Sequence, residues 1–296
     1  MPRWLGFVAM DAEYLLQQAL QCSERALEAG ALVPLETSLT ALPSAEGSVF
    51  ELRHLRGATP KHLRTSGPKP NPFRPWDSRL AVAPIGEQHM LILNKYPVQR
   101  GHMLLITQEW SPQSGWLGLE DWSALAEVDL DTSGLWFFNS GPAAGASQPH
   151  RHLQLLPRST NEEICPRQQW FLNALEPDHQ GMDDPLRRWS RVANVRERNA
   201  QALHQAYLSL CQQLRLGAPD CDPAPRCPYN LLLGRRWMAL IRRSVEGVAG
   251  FSVNALGFAG CLLSTDVSDL NWLRVSGPEA LLRAVVPGDD TMLKDQ

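Results

Sequence analysis

Two imidazoles and one amide occur at alternating positions near the middle of the chain. Residues 147–157 read SQPHRHLQLLP and contain His150, His152 and Gln154. In a β-strand, residues two apart share a face and lie about 6.6 Å from each other. The opposite face would carry Arg151, Leu153 and Leu155. Because buried imidazole and amide groups need hydrogen-bond partners, the polar row is predicted to border a site rather than an apolar core.

A loop of small residues directly precedes this strand. It contains Gly141, Ala143, Ala144, Gly145 and Ala146, and Ser147 and Gln148 follow with side-chain donors. A backbone without bulky side chains can approach a ligand closely, so its amides could cradle a phosphate. Together, loop and strand offer a nucleophilic nitrogen and donors for phosphate oxygens, which is what phosphoryl chemistry needs. Histidine suits the nucleophile because its neutral form exists near pH 7.

Each part of this pattern also has a simpler interpretation. Loops of glycine, alanine and serine are mostly turns, and histidines two apart are often metal ligands or partnered core groups. A metal site lacks further ligands at a recognisable spacing, so none is predicted. His89 and His102 lie at strand edges and are interpreted as structural, and the pair Arg242-Arg243 as a solvated face. The combination of loop and strand therefore favours phosphoryl chemistry over either part alone.

Apolar runs and turn residues predict the elements that must position this segment. Strands are expected at 49–55, 79–85, 90–94, 102–107, 135–139, 150–156, 229–233 and 237–242. Helices are expected from Asp11 toward Gly30, near 120–128, over 193–216 and over 277–285. Because strands follow one another without a helix between each pair, the sequence predicts an α+β fold with a mainly antiparallel sheet and flanking helices.

Composition excludes several classes of partner. The chain has 296 residues and a formal net charge of −3 with scattered basic residues, so no nucleic acid partner is expected. Apolar runs are far shorter than the roughly 20 residues that cross a bilayer, and the N-terminus is a poor secretory signal. The six cysteines show no two-residue spacing, which argues against a zinc clip. A cytoplasmic protein with no membrane association is therefore expected.

Several segments resemble one known family, the ATP adenylyltransferases (diadenosine tetraphosphate phosphorylases) of the histidine-triad and uridylyltransferase-like superfamily. The matching segments are NPF at 71–73, LILNKYPVQRGHMLLIT at 91–107, NSGP at 139–142 running into SQPHRHLQLLP, YNLLLGRRWMALIRRS at 229–244, and FSVNALGFAGCLL at 251–263. They extend over most of the chain in the same order. The resemblance implies a histidine-triad-like fold in a single domain, with residues 1–47 as an N-terminal helical extension, 48–160 as the nucleophile-bearing core and 161–296 completing the fold.

The resemblance also implies a reaction. His152 would attack the α-phosphorus of diadenosine tetraphosphate to give an adenylyl-histidine and ATP, and inorganic phosphate would then release ADP. His150 would orient His152 through hydrogen bonds, and Gln154 would bind the α-phosphate where related hydrolases have a third histidine. The implied substrate contacts are Lys61, Asn94, Lys95, Asn139, Gly145, Ala146, Ser147, Gln148, Asn230 and Arg235. A divalent cation such as Mg²⁺ is expected to be bound by the polyphosphate.

Other functions share the same pattern. A dinucleoside polyphosphate hydrolase or a uridylyltransferase-like enzyme could use the same scaffold, and a non-catalytic nucleotide sensor could retain the pocket. Gln154 argues against hydrolysis, because an amide cannot act as a general acid toward a poor leaving group. The absence of paired metal-binding cysteines argues against a sugar-nucleotide transferase, and the intact set of His150, His152 and Gln154 argues against a sensor. The sequence therefore favours a phosphorylase.

Overall fold

A computed structural model describes residues 13–56, 71–159, 161–176 and 184–288. The helices are α1 (Tyr14–Glu28), α2 (Leu119–Asp131), α3 (Gln168–Asn173), α4 (Pro185–Arg188), α5 (Ala200–Gln213), α6 (Ala255–Phe258), α7 (Leu270–Ser276) and α8 (Pro278–Arg283). Short 3-10 helices occur at Ser78–Leu80 and Pro142–Ala144. The strands are β1 (Thr37–Pro43), β2 (Val49–Leu55), β3 (Ala81–Ile85), β4 (His89–Leu93), β5 (Met103–Thr107), β6 (Gly134–Asn139), β7 (His152–Pro157), β8 (Ser190–Asn194), β9 (Tyr229–Leu233), β10 (Trp237–Arg242), β11 (Gly247–Val248), β12 (Phe251–Ser252) and β13 (Cys261–Ser264).

The centre of the fold is an eight-stranded sheet in the order β3-β4-β5-β7-β6-β9-β10-β8. Every neighbouring pair in this sheet is antiparallel. A second sheet has the order β1-β2-β13, and β11 and β12 form a separate hairpin. The predicted α+β class with a mainly antiparallel sheet is therefore confirmed. The strand β7, which carries His152 and Gln154, lies between β5 and β6 in the interior of the large sheet.

Helices cover one face of the large sheet. In α1, Leu15, Ala19, Cys22 and Ala26 recur at helical spacing and are buried in the same cluster as Leu153 and Leu155 of β7. Side chains from α2 and α5, including Trp122 and Tyr207, belong to this cluster as well. Their helical periodicity buries one apolar stripe of each helix against the sheet. This face is therefore an ordinary hydrophobic core.

The other face of the sheet is divided between two clusters. Phe137 of β6 and Leu156 of β7 belong to a core built with the C-terminal segments. On the far side of β7, Leu104 and Ile106 of β5 pack with Phe73 in a smaller cluster. Because His152 and Gln154 have the same strand parity as Leu156, they lie on this second face of the sheet, between the two clusters. The division of the covering layer thus leaves a polar strip along β7.

Some boundaries differ from the predictions. The single helix expected over 193–216 is wrong, because residues 190–194 pair with β10 as an edge strand and the helix begins only at Ala200. The Asn199 side chain accepts the Ala202 N–H at 2.9 Å and caps that later start. The N-terminal extension is helical only in part, because β1 lies within it, and Asp11, where the first helix is predicted to begin, lies outside the described residues.

A buried ion pair holds β7 from the helical side. The Arg151 guanidinium donates to the Asp121 carboxylate at 2.8 Å, and both side chains are nearly inaccessible. His89 contacts the same carboxylate at 3.1 Å, and the Gly118 N–H donates to it at 2.9 Å. Burial opposes ionisation of Asp121, but the hydrogen bond from His89 and the charge of Arg151 lower its pKa below the ordinary value. Arg151 is thereby fixed between His150 and His152.

Replacing Asp121 should destabilise the protein strongly. In Asp121→Ala the buried Arg151 charge loses its partner, so the free energy of unfolding should fall by about 3–5 kcal/mol. Urea unfolding at pH 7 measures this change. Glu24 forms an exposed pair with Arg100, and Glu24→Ala should change the same quantity by less than about 1 kcal/mol. Equal effects of the two substitutions would contradict the structural importance of the buried pair.

Candidate active site

The imidazole of His152 is held by a backbone carbonyl. Its Nδ1 lies 2.8 Å from the carbonyl oxygen of His150, which can only accept, so Nδ1 carries the proton. The Nε2 nitrogen then bears a lone pair and bonds to no described residue. The backbone N–H of His152 donates to Gln113 Oε1 at 2.8 Å. His152, which is only 4% exposed, therefore has an unprotonated nitrogen that no described residue binds, on the face of the sheet opposite the helices.

His150 is fixed by partners from two other segments. The Asn71 amide lies 2.8 Å from its Nδ1, and the Thr107 carbonyl oxygen lies 2.8 Å from its Nε2. Because that carbonyl must accept, Nε2 carries the proton and Nδ1 accepts from the Asn71 amide nitrogen. The Phe73 ring covers both imidazoles, at centroid distances of 5.7 Å from His150 and 5.3 Å from His152. His150 thus orients His152 through its main-chain oxygen while its own ring is held elsewhere.

Burial keeps His152 neutral. Desolvation lowers its pKa to about 4, partly offset by the hydrogen bond to the His150 backbone, with a further lowering from the His150 side chain. At pH 7 the ring is therefore unprotonated. A neutral imidazole is the form that can attack phosphorus.

Gln154 lies two residues beyond His152 on the same face of β7. Its Oε1 lies 3.0 Å from Nε2 of His102, so the amide oxygen is turned toward β5. Its Nε2 group bonds to no described residue and is left for the open side. An amide nitrogen can only donate, which suits it to a phosphate oxygen. The strand therefore places a nucleophile and a hydrogen-bond donor side by side.

The small-residue loop is folded back on itself. Gly145 has φ +83°, and an added Cβ would lie 2.8 Å from the Val253 carbonyl oxygen. The Gly145 and Ala146 N–H groups donate to the Pro142 and Gly141 carbonyls at 2.8 and 3.0 Å. The N–H groups of Ser147 and Gln148 donate to no described residue. The free backbone donors of the loop are consequently at Ser147 and Gln148, adjacent to the strand.

A polar network from the C-terminal half holds this loop in place. Asn230 donates through Nδ2 to Asn139 Oδ1 and to the Ala144 carbonyl, both at 2.8 Å. Asn230 Oδ1 accepts from Arg243 at 2.5 Å, and Arg243 also donates to the Val253 carbonyl at 2.8 Å. Burial lowers the pKa of Arg243 to about 9, while Glu246 raises it. The network joins the loop to two C-terminal segments.

The prediction that Arg242-Arg243 forms a solvated face is wrong. Arg242 and Arg243 are only 4% and 1% exposed. The reason is that β10 is an interior strand of the sheet and that Arg243 lies directly after it, where backbone carbonyls take up its donors. The Arg242 guanidinium lies over the Trp189 ring, with its carbon 4.8 Å from the ring centroid, so a cation–π contact accompanies its burial.

The structure gathers most, but not all, of the predicted site residues. His150, His152, Gln154, Asn139, Asn230 and the loop from Gly145 to Gln148 lie around one end of β6, β7 and β9. Arg235 lies in the turn at the other end of β9, where its guanidinium donates to the Glu162 and Ser159 carbonyls. It is therefore not brought to His152. Lys61 lies outside the described residues.

Asn94 and Lys95 lie at the end of β4. Asn94 borders a cavity of about 180 Å³ that is also lined by His102 and by α1 side chains, including Leu27. The Lys95 side chain is exposed, with its ammonium 5.8 Å from the Tyr96 ring. Because Asn94 also contacts His102 at 3.0 Å, the cavity lies next to the residue that holds Gln154.

Two supporting residues were missed by sequence reasoning. Gln113 is 2% exposed and bonds to the N–H of His152 and to the carbonyls of Asn139 and His152. Nothing in its neighbourhood in the sequence points to this role. Asn71 lies in the NPF segment, which signalled the family but no contact with His150. In the part of the chain that the structure describes, no group of three or more His, Cys, Asp or Glu could hold a metal ion.

The antiparallel sheet, the unpartnered nitrogen of His152 and the adjoining loop form a site that is suited to nucleotidyl transfer. Two family models match the chain: Ap4A phosphorylase N-terminal domain over residues 7–170 and ATP adenylyltransferase C-terminal domain over residues 165–287. The chain therefore belongs to the Ap4A phosphorylase family. This confirms the family that the sequence motifs predicted, and the protein is an enzyme of that class.

Relatives and solved structures agree with this assignment. Protein APA1 of Saccharomyces cerevisiae is 26% identical over 257 residues, covering 77% of this chain and 77% of that protein. Diadenosine 5',5'''-P1,P4-tetraphosphate phosphorylase 2 of the same yeast is 27% identical over 206 residues, covering 60% of this chain and 63% of that protein. Crystal structures of yeast Ap4A phosphorylase Apa2 show the same fold. The complex with AMP has a TM-score of 0.72 at 22% identity, covering 92% of this chain and 96% of that chain. The complex with Ap4A has a TM-score of 0.71 at 23% identity, covering 91% and 96%.

Stability should depend on pH through the buried histidines. Unfolded histidines bind a proton near pH 6.5, whereas His102 and His152 in the folded protein stay neutral down to about pH 4. Between these values the unfolded state binds more protons, so the free energy of unfolding should fall as the pH decreases from about 6.5 to about 4. Each histidine contributes a slope of at most about 1.4 kcal/mol per pH unit.

Urea unfolding at a series of pH values tests this effect. His102→Gln should show a shallower pH dependence than the unsubstituted protein, because one titrating group is removed. Gln213 is exposed at the end of α5 and does not titrate, so Gln213→Ala should leave the slope unchanged. The same slope in all three proteins would contradict the assignment.

Gly145→Ala should lower the rate of diadenosine tetraphosphate phosphorolysis. The substitution forces a Cβ against Val253 and Asn254 and must displace the loop, so kcat/KM should fall by about 100-fold. Gly86 also has a positive φ, but no atom lies within 4 Å of the corresponding Cβ. Gly86→Ala should therefore keep most of the activity. Equal rates for the two variants would show that the loop position is unimportant.

Proposed function

We propose that this chain converts diadenosine tetraphosphate and inorganic phosphate into ATP and ADP through an adenylate on His152. In the first step Nε2 of His152 forms a bond to the α-phosphorus, and the bond from that phosphorus to the bridging oxygen breaks to release ATP. In the second step a phosphate oxygen attacks the same phosphorus. The bond to Nε2 breaks, ADP leaves, and the neutral imidazole is restored.

The observation that carries this proposal is the state of His152. A nitrogen that has a lone pair, bonds to no described residue and stays neutral at pH 7 is suited to nucleophilic attack on phosphorus. The carbonyl of His150 can accept the Nδ1 proton more strongly as positive charge develops on the ring. The yeast enzyme Apa2 has been crystallised with AMP and with Ap4A, which supports a nucleotide substrate here.

The surrounding residues have assigned roles in the proposal. Gln154, together with the Ser147 and Gln148 backbone, would donate to α-phosphate oxygens as negative charge builds up. Asn139 and Asn230 would support the loop that contains Gly145 and Ala146. Further contacts with the substrate are assigned to Asn94, Lys95, Lys61 and Arg235. Because Arg235 lies at the far end of β9 and donates to the Glu162 and Ser159 carbonyls, it would meet a part of the dinucleotide remote from His152.

Gln154 also limits the kind of leaving group that the site can expel. An amide cannot protonate a leaving group, so the departing group must be stable as an anion. ATP meets this requirement because its terminal phosphate carries the charge. A uridylyltransferase or a nucleotide sensor on the same scaffold is disfavoured by the family to which the chain belongs.

A divalent cation would take its ligands from the polyphosphate and from water. No step of the reaction is assigned to the cation.

None of the described helices is long and apolar enough to cross a membrane. We assign the reaction to the cytoplasm, as the composition predicts.

The reaction itself tests the proposal. With diadenosine tetraphosphate as substrate, ADP and ATP should accumulate in equal amounts over many turnovers only when phosphate is present, because without phosphate the reaction stops after one ATP per adenylated protein. His152→Ala should lower kcat by several orders of magnitude, because binding alone cannot replace a covalent nucleophile. His204→Ala, a change on the helical side of the sheet, should keep the activity.

Trapping the intermediate separates the alternatives. Dinucleotide labelled in its α-phosphates and supplied without phosphate should leave label on the unsubstituted protein but not on His152→Ala. Product formation that proceeds equally well without phosphate would identify a hydrolase. Binding without labelled protein or product would identify a sensor.

A further inference from the structure

We propose that His102 is a positioning residue that decides which end of the Gln154 amide faces the substrate phosphate. It does so as the last link of a hydrogen-bond chain that starts at the backbone of Tyr96. The inference rests on the proposed function, because it assumes that Gln154 meets the phosphate. An amide offers either a donor or an acceptor, and only the donor is useful toward an anionic oxygen.

The Tyr96 backbone N–H sets the direction of the hydrogen-bond chain. The Tyr96 backbone N–H lies 3.1 Å from Asn94 Oδ1, and a backbone N–H can only donate. Asn94 Oδ1 is therefore the acceptor, and its Nδ2 is turned toward His102 Nδ1 at a distance of 3.0 Å. The amide nitrogen also can only donate, so Nδ1 of His102 must accept.

The His102 imidazole continues the same direction of hydrogen bonding to Gln154 on β7. A neutral ring that accepts at Nδ1 carries its proton on Nε2, and Nε2 of His102 lies 3.0 Å from Gln154 Oε1. The amide oxygen of Gln154 is thereby occupied, and its NH₂ group is left on the open side. If the hydrogen bonds ran in the opposite direction, Gln154 would present its amide oxygen to the substrate. That oxygen and a phosphate oxygen, both acceptors, would then face each other.

The surroundings of His102 preserve the neutral ring. The side chain is 7% exposed and lies 5.7 Å from the Phe137 ring. Burial lowers its pKa to about 4, opposed by the hydrogen bond to Gln154 and reinforced by His152. A protonated ring would place an N–H against the Asn94 Nδ2 donor and break the chain. His102 thus acts through Gln154 without touching the substrate.

A double-mutant cycle tests the proposal with diadenosine tetraphosphate and phosphate as substrates. His102→Leu removes the donor and should lower kcat by about 10- to 100-fold. In the Gln154→Ala variant, His102→Leu should not lower kcat further, because the effect of His102 on the reaction depends on Gln154. His102→Gln can still place an N–H near Gln154 Oε1 and should recover most of the activity. His204→Leu serves as the control for loss of a histidine.

Two results of this cycle have different meanings. If His102→Leu lowers kcat by the same factor in the unsubstituted protein and in the Gln154→Ala variant, its role is only structural and the positioning proposal fails. If Gln154→Ala alone leaves kcat unchanged, the role of Gln154 in the proposed function fails instead. Thermal unfolding of each variant shows whether the fold is retained.

The tautomer can be observed without any substrate. In ¹⁵N-histidine NMR spectra of the free protein at pH 7, His102 should show a proton on Nε2 and an unprotonated Nδ1. The spectrum of His102→Gln, in which these signals are lost, assigns them. A proton on Nδ1 or a doubly protonated ring would overturn the proposal, whatever the outcome of the activity assays.

Discussion

The hydrogen bond from His152 Nδ1 to the carbonyl oxygen of His150 is the contact on which the site depends. It joins a side chain to the main chain two residues earlier, so it forms only where the chain enters β7 in the observed conformation. Gln113 fixes that conformation by binding the N–H and the carbonyl of His152, as a neighbouring strand would. One contact thereby determines the tautomer, the ring orientation and the free nitrogen.

The parts of this site that could be predicted are those encoded locally. Alternation along a strand was sufficient to place His152 and Gln154 on one face and Arg151 on the other, and the small-residue loop was adjacent in the chain. The antiparallel sheet also followed from the succession of short apolar runs. The sequence was less informative about where elements begin and end. Residues 193–216 have the composition of one helix, but the segment starts within the edge strand β8, and the helix begins only after the Asn199 cap.

The parts that could not be predicted depend on contacts between distant segments. Gln113 and Asn71 reach the two histidines only after the sheet has formed, and neither lies at an informative spacing from them. Arg243 was misjudged because the sequence does not show how many backbone carbonyls converge on it. A residue type indicates what a group can bind, whereas the packing of the chain decides what it meets.

The order of strands in the large sheet has a consequence for how the chain can be divided. The two family models meet near residues 165–170, yet β6 from the first is hydrogen-bonded along its length to β9 from the second. A fragment that ended at this junction would leave β6 as an unpaired sheet edge that bears Trp136 and Phe138, and such apolar edges promote aggregation. It would also lose Asn230 and Arg243, which hold the loop. Exchange of modules between relatives, or expression of either half alone, therefore cuts through a single hydrogen-bonded unit.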